Sequence, residues 1–247
     1  RMGLHLKKTY KVDFTDIDFT GKLNLYSLSN YMQKIASDHA TELGFNYYKG
    51  EDEETAACYW ILSRVKYQIE SYPEWEEKIS LETYPGGYDK LFAVRCFKVY
   101  NEKGELAGSI IGDYILMDAK KQRPVKIKGI KPPLNILDFP YEGGKLDKLA
   151  IPTEILKHDI RKCRYSEIDL NQHMNNGQYI KWILDMLSLE QIKTHSVASL
   201  QINFNASVMY GDIVKVYLGK NEAGKIMVWG MSEDEKTNYF ISEMSFK

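Results

Sequence analysis

Apolar residues recur at Leu25, Leu28, Met32, Ile35, Ala36, His39/Ala40 and Leu43, the three-to-four spacing of one helix face. Asn24 stands where an N-cap oxygen is wanted, and Gly44 where the helix would end. Before this helix, residues 8–15 alternate as a strand and 16–24 read as a turn-rich bend. After it comes a loop over 46–58 with an acidic cluster, Glu51 to Glu54. Strand-like runs follow at 60–70, 78–84, 91–100 and 107–118, separated by turn signals at Tyr72-Pro73, Pro85-Gly86-Gly87 and Asn101-Glu102-Lys103-Gly104. Such a series predicts an antiparallel meander packed on one helix.

The pattern then restarts. Five of the seven prolines, at 124, 132, 133, 140 and 152, and the Gly143-Gly144 pair mark a linker or wrapping segment. Beyond it a strand is predicted at 157–165, a bend at 166–175 and a helix from Asn176 to Leu189. Strands at 197–206, 212–220, 225–232 and 238–246 close the chain.

The second round repeats the first in residues as well as in order. Asp18-Phe19-Thr20-Gly21-Lys22-Leu23-Asn24 aligns with Asp169-Leu170-Asn171-Gln172-His173-Met174-Asn175, 151 positions on (Asp18 to Asp169). Trp75 to Ile79 aligns with Tyr210 to Val214, 135 positions on (Trp75 to Tyr210), as does Arg64 to Ile69 with Ser199 to Phe204. The difference in offset assigns the first copy a longer loop near 46–58. A long helix wrapped by four or five curved antiparallel strands is the hotdog arrangement. The expected fold is therefore α+β, a tandem double hotdog with two long helices, each wrapped by a curved sheet, the sheets joined edge to edge so that those edges are hidden. Its expected parts are an N-terminal repeat over 1–130, a linker over 131–155 and a C-terminal repeat over 156–247.

Composition adds exclusions. Lys plus Arg is 33 and Asp plus Glu 34, a net charge of −1, so no chain-wide field draws it to nucleic acid or anionic membrane. The 18 tyrosines suit strands and half-wet pockets. Cys58, Cys96 and Cys163 are odd in number and widely spaced, which fits a reducing compartment and not a disulfide framework. No apolar run reaches 18 residues and the start lacks a signal-peptide core, so a cytoplasmic protein is expected. HExxH, CxxC, GxxxxGK and GxSxG motifs are missing, so no cofactor, no metal and no serine nucleophile is expected.

The copies differ where chemistry is expected. Asp18/Asp169 and Asn24/Asn175 are shared, which suits Asx side chains shaping the bend before a helix. The second copy alone has Asn171 and His173, where the first has Thr20 and Lys22. His173 sits just ahead of a helix N-terminus, whose free N–H groups can stabilise a developing oxyanion. A neutral His there can serve as general base, with Asp169 orienting it and Asn171 positioning a water or a carbonyl.

The run Arg164 to Asn176 (RYSEIDLNQHMNN), continued by Tyr179 to Leu184, resembles the signature of acyl-acyl carrier protein (acyl-ACP) thioesterases. Trp60 to Arg64, Tyr72 to Trp75, Ile115 to Asp118 and Arg123-Pro124 resemble the same family. The resemblance implies hydrolysis of fatty acyl-ACP to free fatty acid and holo-carrier, in fatty acid biosynthesis, at a site in the second of two hotdog units. Its D-x-N-x-H residues map to Asp169, Asn171 and His173 as the catalytic set. Asn175 and Asn176 are expected to bind substrate, and Tyr31, Met32 and Ile35 to line an acyl pocket. Plant members carry a Glu-Cys pair that falls here on Ser207 and Val208, and Cys163 reads as a buried strand residue, so a water nucleophile is expected.

The segment 119–131 holds six Lys/Arg and no acid, and an acyl carrier protein is acidic, so Lys120, Lys121 and Arg123 are candidate docking residues for the phosphopantetheine-bearing carrier. No nucleic-acid or membrane partner is expected, and a homodimer is compatible with this reading. The alternatives are an acyl-CoA thioesterase, a hotdog hydratase or dehydratase, and a non-catalytic acyl-thioester sensor.

Overall fold

The computed structural model describes residues 4–43, 58–89, 91–118, 120–124 and 146–247. The expected Gly44 cap, the acidic cluster at 51–54 and the prolines at 132, 133 and 140 lie outside these.

β1 (Leu6–Lys11) leads through a 3-10 turn into α1 (Leu25–Glu42), and the strands β2 (Cys58–Ile69), β3 (Lys78–Asp89), β4 (Phe92–Tyr100) and β5 (Leu106–Asp118) follow, with the short β6 (Arg123–Pro124) paired on β5. β7 (Glu154–Lys162), a second 3-10 turn, α2 (Asn176–Leu184), α3 (Leu189–Thr194), β8 (Val197–Phe204), β9 (Ile213–Lys220), β10 (Ile226–Ser232) and β11 (Asn238–Phe246) complete the chain. β7 starts inside the stretch expected as linker. The second helix is not the long one expected: α2 ends at Leu184, and Ser188 caps a separate α3 through a reciprocal pair with Gln191.

All strands join one antiparallel sheet in the order β1-β3-β4-β5-β2-β8-β11-β10-β9-β7. That order is a palindrome of the two repeats. At its centre β2 pairs β8 with Lys66 opposite Gln201, residues that are themselves equivalents, so a pseudo-twofold axis passes between them. The central edges are thereby hidden. Leu146 and Asp147 cross this seam: Arg64 Nη1 donates to the Leu146 carbonyl (2.5 Å), and Gln201 Nε2 and Asn203 Nδ2 donate to that of Asp147 (2.8 and 3.1 Å). Leu149 packs beside Met227, Trp229 and Ile241.

α1 and α2 pack against the sheet, whereas α3 buries no residue. α1 forms where the periodicity placed it, with the Asn24 side chain accepting from the Ser27 N–H (2.8 Å). It buries Leu25, Leu28, Met32 and Ile35 in the main core. Each such apolar side chain contributes about 1.5–3 kcal/mol relative to exposure. α2 buries Tyr179, Ile180, Trp182 and Ile183, and Tyr179 meets Phe204 and Phe240 edge-on, filling the second repeat with rings. No helix among the described residues is long and apolar enough to cross a membrane.

Candidate active site

The bend ahead of α2 copies the bend ahead of α1 bond for bond. Asp169 N donates to His173 O (2.8 Å) as Asp18 N does to Lys22 O (3.0 Å), and Asn175 N donates to Glu167 O as Asn24 N does to Asp16 O. Met174 N reaches Val208 O where Leu23 N reaches Pro73 O. Trp182 Nε1 donates to Glu167 (2.8 Å) where Tyr31 donates to Asp16. On this shared frame the second copy presents Asn171 and His173.

The expected role of Asp169 as orienter of the imidazole meets a different geometry. Its Oδ1 accepts the main-chain N–H of Asn171 (2.8 Å) and of His173 (3.3 Å), and no described residue hydrogen-bonds the His173 ring. Asp169 therefore sets the loop that carries the imidazole, as Asp18 sets its own loop through the Thr20 N–H. Gln172, between Asn171 and His173, holds φ at 62°, in the left-handed region where the first copy has Gly21 at 77°. That conformation is costly for a residue with a Cβ.

Asn175 is placed away from the role expected of it. Its Oδ1 accepts the Gly177 N–H (2.9 Å), capping α2, and its amide pairs reciprocally with the Gln33 amide on α1 (3.2 and 3.4 Å). It clamps the two repeats together. Gly177 is held in the same contact: a Cβ there would come within 3.2 Å of Asn30 Oδ1.

A cavity of about 430 Å³ opens beside this clamp, within the range of small-molecule sites. It lies mainly in the first repeat, between α1 and the strands β2–β5. Asn171 and Asn176 reach it from the second repeat. Along α1 its wall runs from Gln33 through Ala36, Ser37, Ala40 and Thr41 to Leu43, about 15 Å of helix. Trp60, Leu62, Ala93, Val94, Arg95 and Tyr114 face it from the sheet.

Tyr31, Met32 and Ile35, expected on the acyl wall, are elsewhere. Met32 and Ile35 are fully buried in the core, and Tyr31 stacks on Tyr10. The cavity uses the neighbouring face of α1. Sequence reading missed Gln33 and Arg95. For Arg95 a signal existed: it occupies the inward register of β4, between Ala93 and Phe97.

The cysteines offer no ready nucleophile among the described side chains. Cys163 follows β7 as a fully buried residue, and burial, with Glu167 and Asp212 nearby, pushes its thiol up to about 11. Cys96 is buried in a small separate cluster with Tyr84 and Val94, and the Cys58 side chain lies outside the described residues. Ser207 is exposed, whereas Val208 is fully buried and donates its N–H to Tyr179 Oη (3.1 Å). Lys120, Lys121 and Arg123 are exposed, and Gln122 among them meets Tyr59, a cavity residue, through Oε1 (3.1 Å).

Sequence models of the acyl-ACP thioesterase N-terminal and C-terminal domains match residues 3–129 and 152–244. Among curated proteins, the chloroplastic oleoyl-acyl carrier protein thioesterase 2 of Arabidopsis thaliana is 23% identical over 228 residues, covering 86% of this chain and 62% of that protein. The chloroplastic dodecanoyl-[acyl-carrier-protein] hydrolase of Umbellularia californica is 22% identical over 239 residues, covering 91% and 63%. The chain thus spans a little under two thirds of the length of these relatives. An acyl-ACP thioesterase structure from Bacteroides thetaiotaomicron superposes with a TM-score of 0.87 at 22% identity, covering 99% of this chain and 98% of that one. The 12:0-ACP thioesterase of Umbellularia californica superposes at 0.82 with 17% identity, covering 99% and 98%. Both likenesses show the double-hotdog fold.

Proposed function

The chain belongs to the acyl-ACP thioesterase family, and from that premise we propose that it hydrolyses fatty acyl-ACP, releasing free fatty acid and the carrier's phosphopantetheine thiol. The observation that carries the reading is the cavity, which is long enough for an alkyl chain and meets the D-x-N-x-H loop at Asn171 and the start of α2 at Asn176. Each methylene it buries contributes up to about 0.8 kcal/mol.

In this reading water is the nucleophile. His173 takes a proton from water as its oxygen bonds to the thioester carbonyl carbon. The carbonyl oxygen then carries the charge, close to the amide of Asn171 and the positive end of α2. Collapse breaks the carbon–sulfur bond, and His173 returns the proton to the departing thiolate. Asp169 is a positioning residue that acts through the main chain. The buried, high-pKa Cys163 and the valine at 208 favour water over a covalent route.

The carrier docks, we infer, on Lys120, Lys121 and Arg123, beside the cavity wall at Tyr59. A place in fatty acid biosynthesis accords with that substrate, and a cytoplasmic location is part of the same proposal. Thiol release from matched acyl-ACP and acyl-CoA thioesters tests the whole reading: rapid release from acyl-ACP is expected, and release from neither would overturn it. Release from acyl-CoA alone would move the substrate to coenzyme A. Charge reversal at the three basic residues should raise KM for acyl-ACP with kcat nearly unchanged, an effect that shrinks at high salt.

A further inference from the structure

Arg95 interrupts the concave face of β4. Phe97 and Val99, in the same inward register, are core residues, whereas Arg95 brings a guanidinium to the cavity wall. Its Nη1 donates to His39 Nδ1 (2.9 Å) and to Thr83 Oγ1 (3.2 Å). A His39 nitrogen that accepts belongs to a neutral ring, and His39 and Thr83 are both fully buried. Among the described residues no carboxylate is within ion-pair distance of Arg95, and Nη2 and Nε carry no hydrogen bond. Burial holds the guanidinium below its ordinary range.

A desolvated cation beside bare methylenes is unfavourable, because the alkyl chain displaces water and returns no acceptor. An accepting oxygen at the same place completes the planar fork that Arg presents. The depth is set by the helix: His39 follows Gln33 by six residues, about 9 Å along the axis. The group read by Arg95 is therefore distal to the thioester.

We propose that Arg95 is a specificity-determining residue, and that the cavity prefers acyl chains bearing an accepting oxygen, a hydroxyl or a carboxylate, at the depth of His39 over unsubstituted chains of equal length. This rests on the reading of the cavity as the acyl site. Hydroxyl and carboxylate share the chemistry; ligands carrying each in turn separate them.

The experiment measures binding of free medium-chain acids to the full chain by calorimetry. Unsubstituted, hydroxylated and dicarboxylic members are compared with the oxygen stepped along the chain, and the matching acyl-carrier thioesters are assayed for hydrolysis. The oxygenated ligand of the right length should bind about 10- to 100-fold more tightly, the size of one charge-assisted hydrogen bond. Arg95→Met should reverse the preference, and Arg95→Lys should keep it for the carboxylate. Should Arg95→Met fail to fold, Arg95→Gln gives the same comparison, with the carboxylate preference lost. Equal binding across matched pairs in the wild type, or a ratio unmoved by either neutral variant, overturns the proposal. If the ratio follows Arg95 while no thioester is hydrolysed, the proposal stands and the thioesterase reading falls. Brisk hydrolysis with a flat ratio does the reverse.

Discussion

The two repeats share a frame and divide the work. In the first, α1 runs to Glu42, and its later turns, from Ala36 onward, have no counterpart in the second, where α2 stops at Leu184. Those turns roof the cavity, with small residues at Ala36, Ser37 and Ala40. In the second repeat α2 packs Tyr179 edge-on against Phe204 and Phe240 under its first turn. The bends are divided the other way: the first ends on Thr20 and Lys22, the second on Asn171 and His173. In the proposed reaction one copy supplies room and the other chemistry, and the Gln33–Asn175 pair ties the two at the point where they meet. Duplication lets each copy drop what the other provides.

The largest expected effect separates the two bends. His173→Ala should lower kcat for acyl-ACP by about 10²–10⁴-fold, whereas Lys22→Ala in the twin position should leave it within about twofold. Thiol release under single-turnover conditions, with circular dichroism to establish folding, decides this. Comparable losses in both variants would erase the asymmetry.

Next come the paired caps. Asn24→Ala removes an N-cap and should cost about 1 kcal/mol. Asn175→Ala removes a cap and takes the donor from the Gln33 carbonyl oxygen, so about 2–3 kcal/mol is expected from denaturant unfolding. A double-mutant cycle with Gln33→Ala should return a coupling near 1 kcal/mol. Equal costs at Asn24 and Asn175 would mean that the clamp between repeats contributes nothing.

The left-handed residues give a smaller test. Two of the left-handed positions are equivalent between the repeats, and each repeat puts glycine at the opposite one: Gly21 with Glu76 in the first, Gln172 with Gly211 in the second. Gln172→Gly and Glu76→Gly should each shift stability by less than about 1 kcal/mol, relief of strain being offset by entropy in the unfolded chain. Only Gln172→Gly should lower turnover, because it loosens the link between Asn171 and His173. An activity change at Glu76 of the same size would dissociate strain from the site.

The smallest effect is expected at Cys163, whose twin is the fully buried Val12. Cys163→Val should leave turnover unchanged. With the thiol up at about 11, alkylation should stay slow at neutral pH and speed up only as pH climbs toward that value. Fast alkylation at pH 7 with loss of turnover would point to a covalent mechanism.

Much of this was legible in the residues alone. The Asn24 cap, the twin bends and the order of strands are local: each depends on hydrogen bonds or side-chain periods a few residues apart, which spacing records directly. The asymmetry at Asn171 and His173 followed from comparing one bend with the other. The break between α2 and α3 was missed because Met186 and Leu187 continue the apolar pattern, although the Ser188–Gln191 box was there to be read.

The tertiary structure alone decided the rest. Whether a helix face meets a core or a hollow depends on the side chains it faces across the sheet, far away in sequence. Met32 and Ile35 were as plausible on a cavity wall as Ala36 and Ala40 until β2–β5 were set opposite them. The same holds for Asn175, whose amide meets Gln33 across 142 residues of chain, and for Arg95, whose partners lie on α1 and β3. Local rules shape the elements, and the empty volume between them is fixed only when they pack.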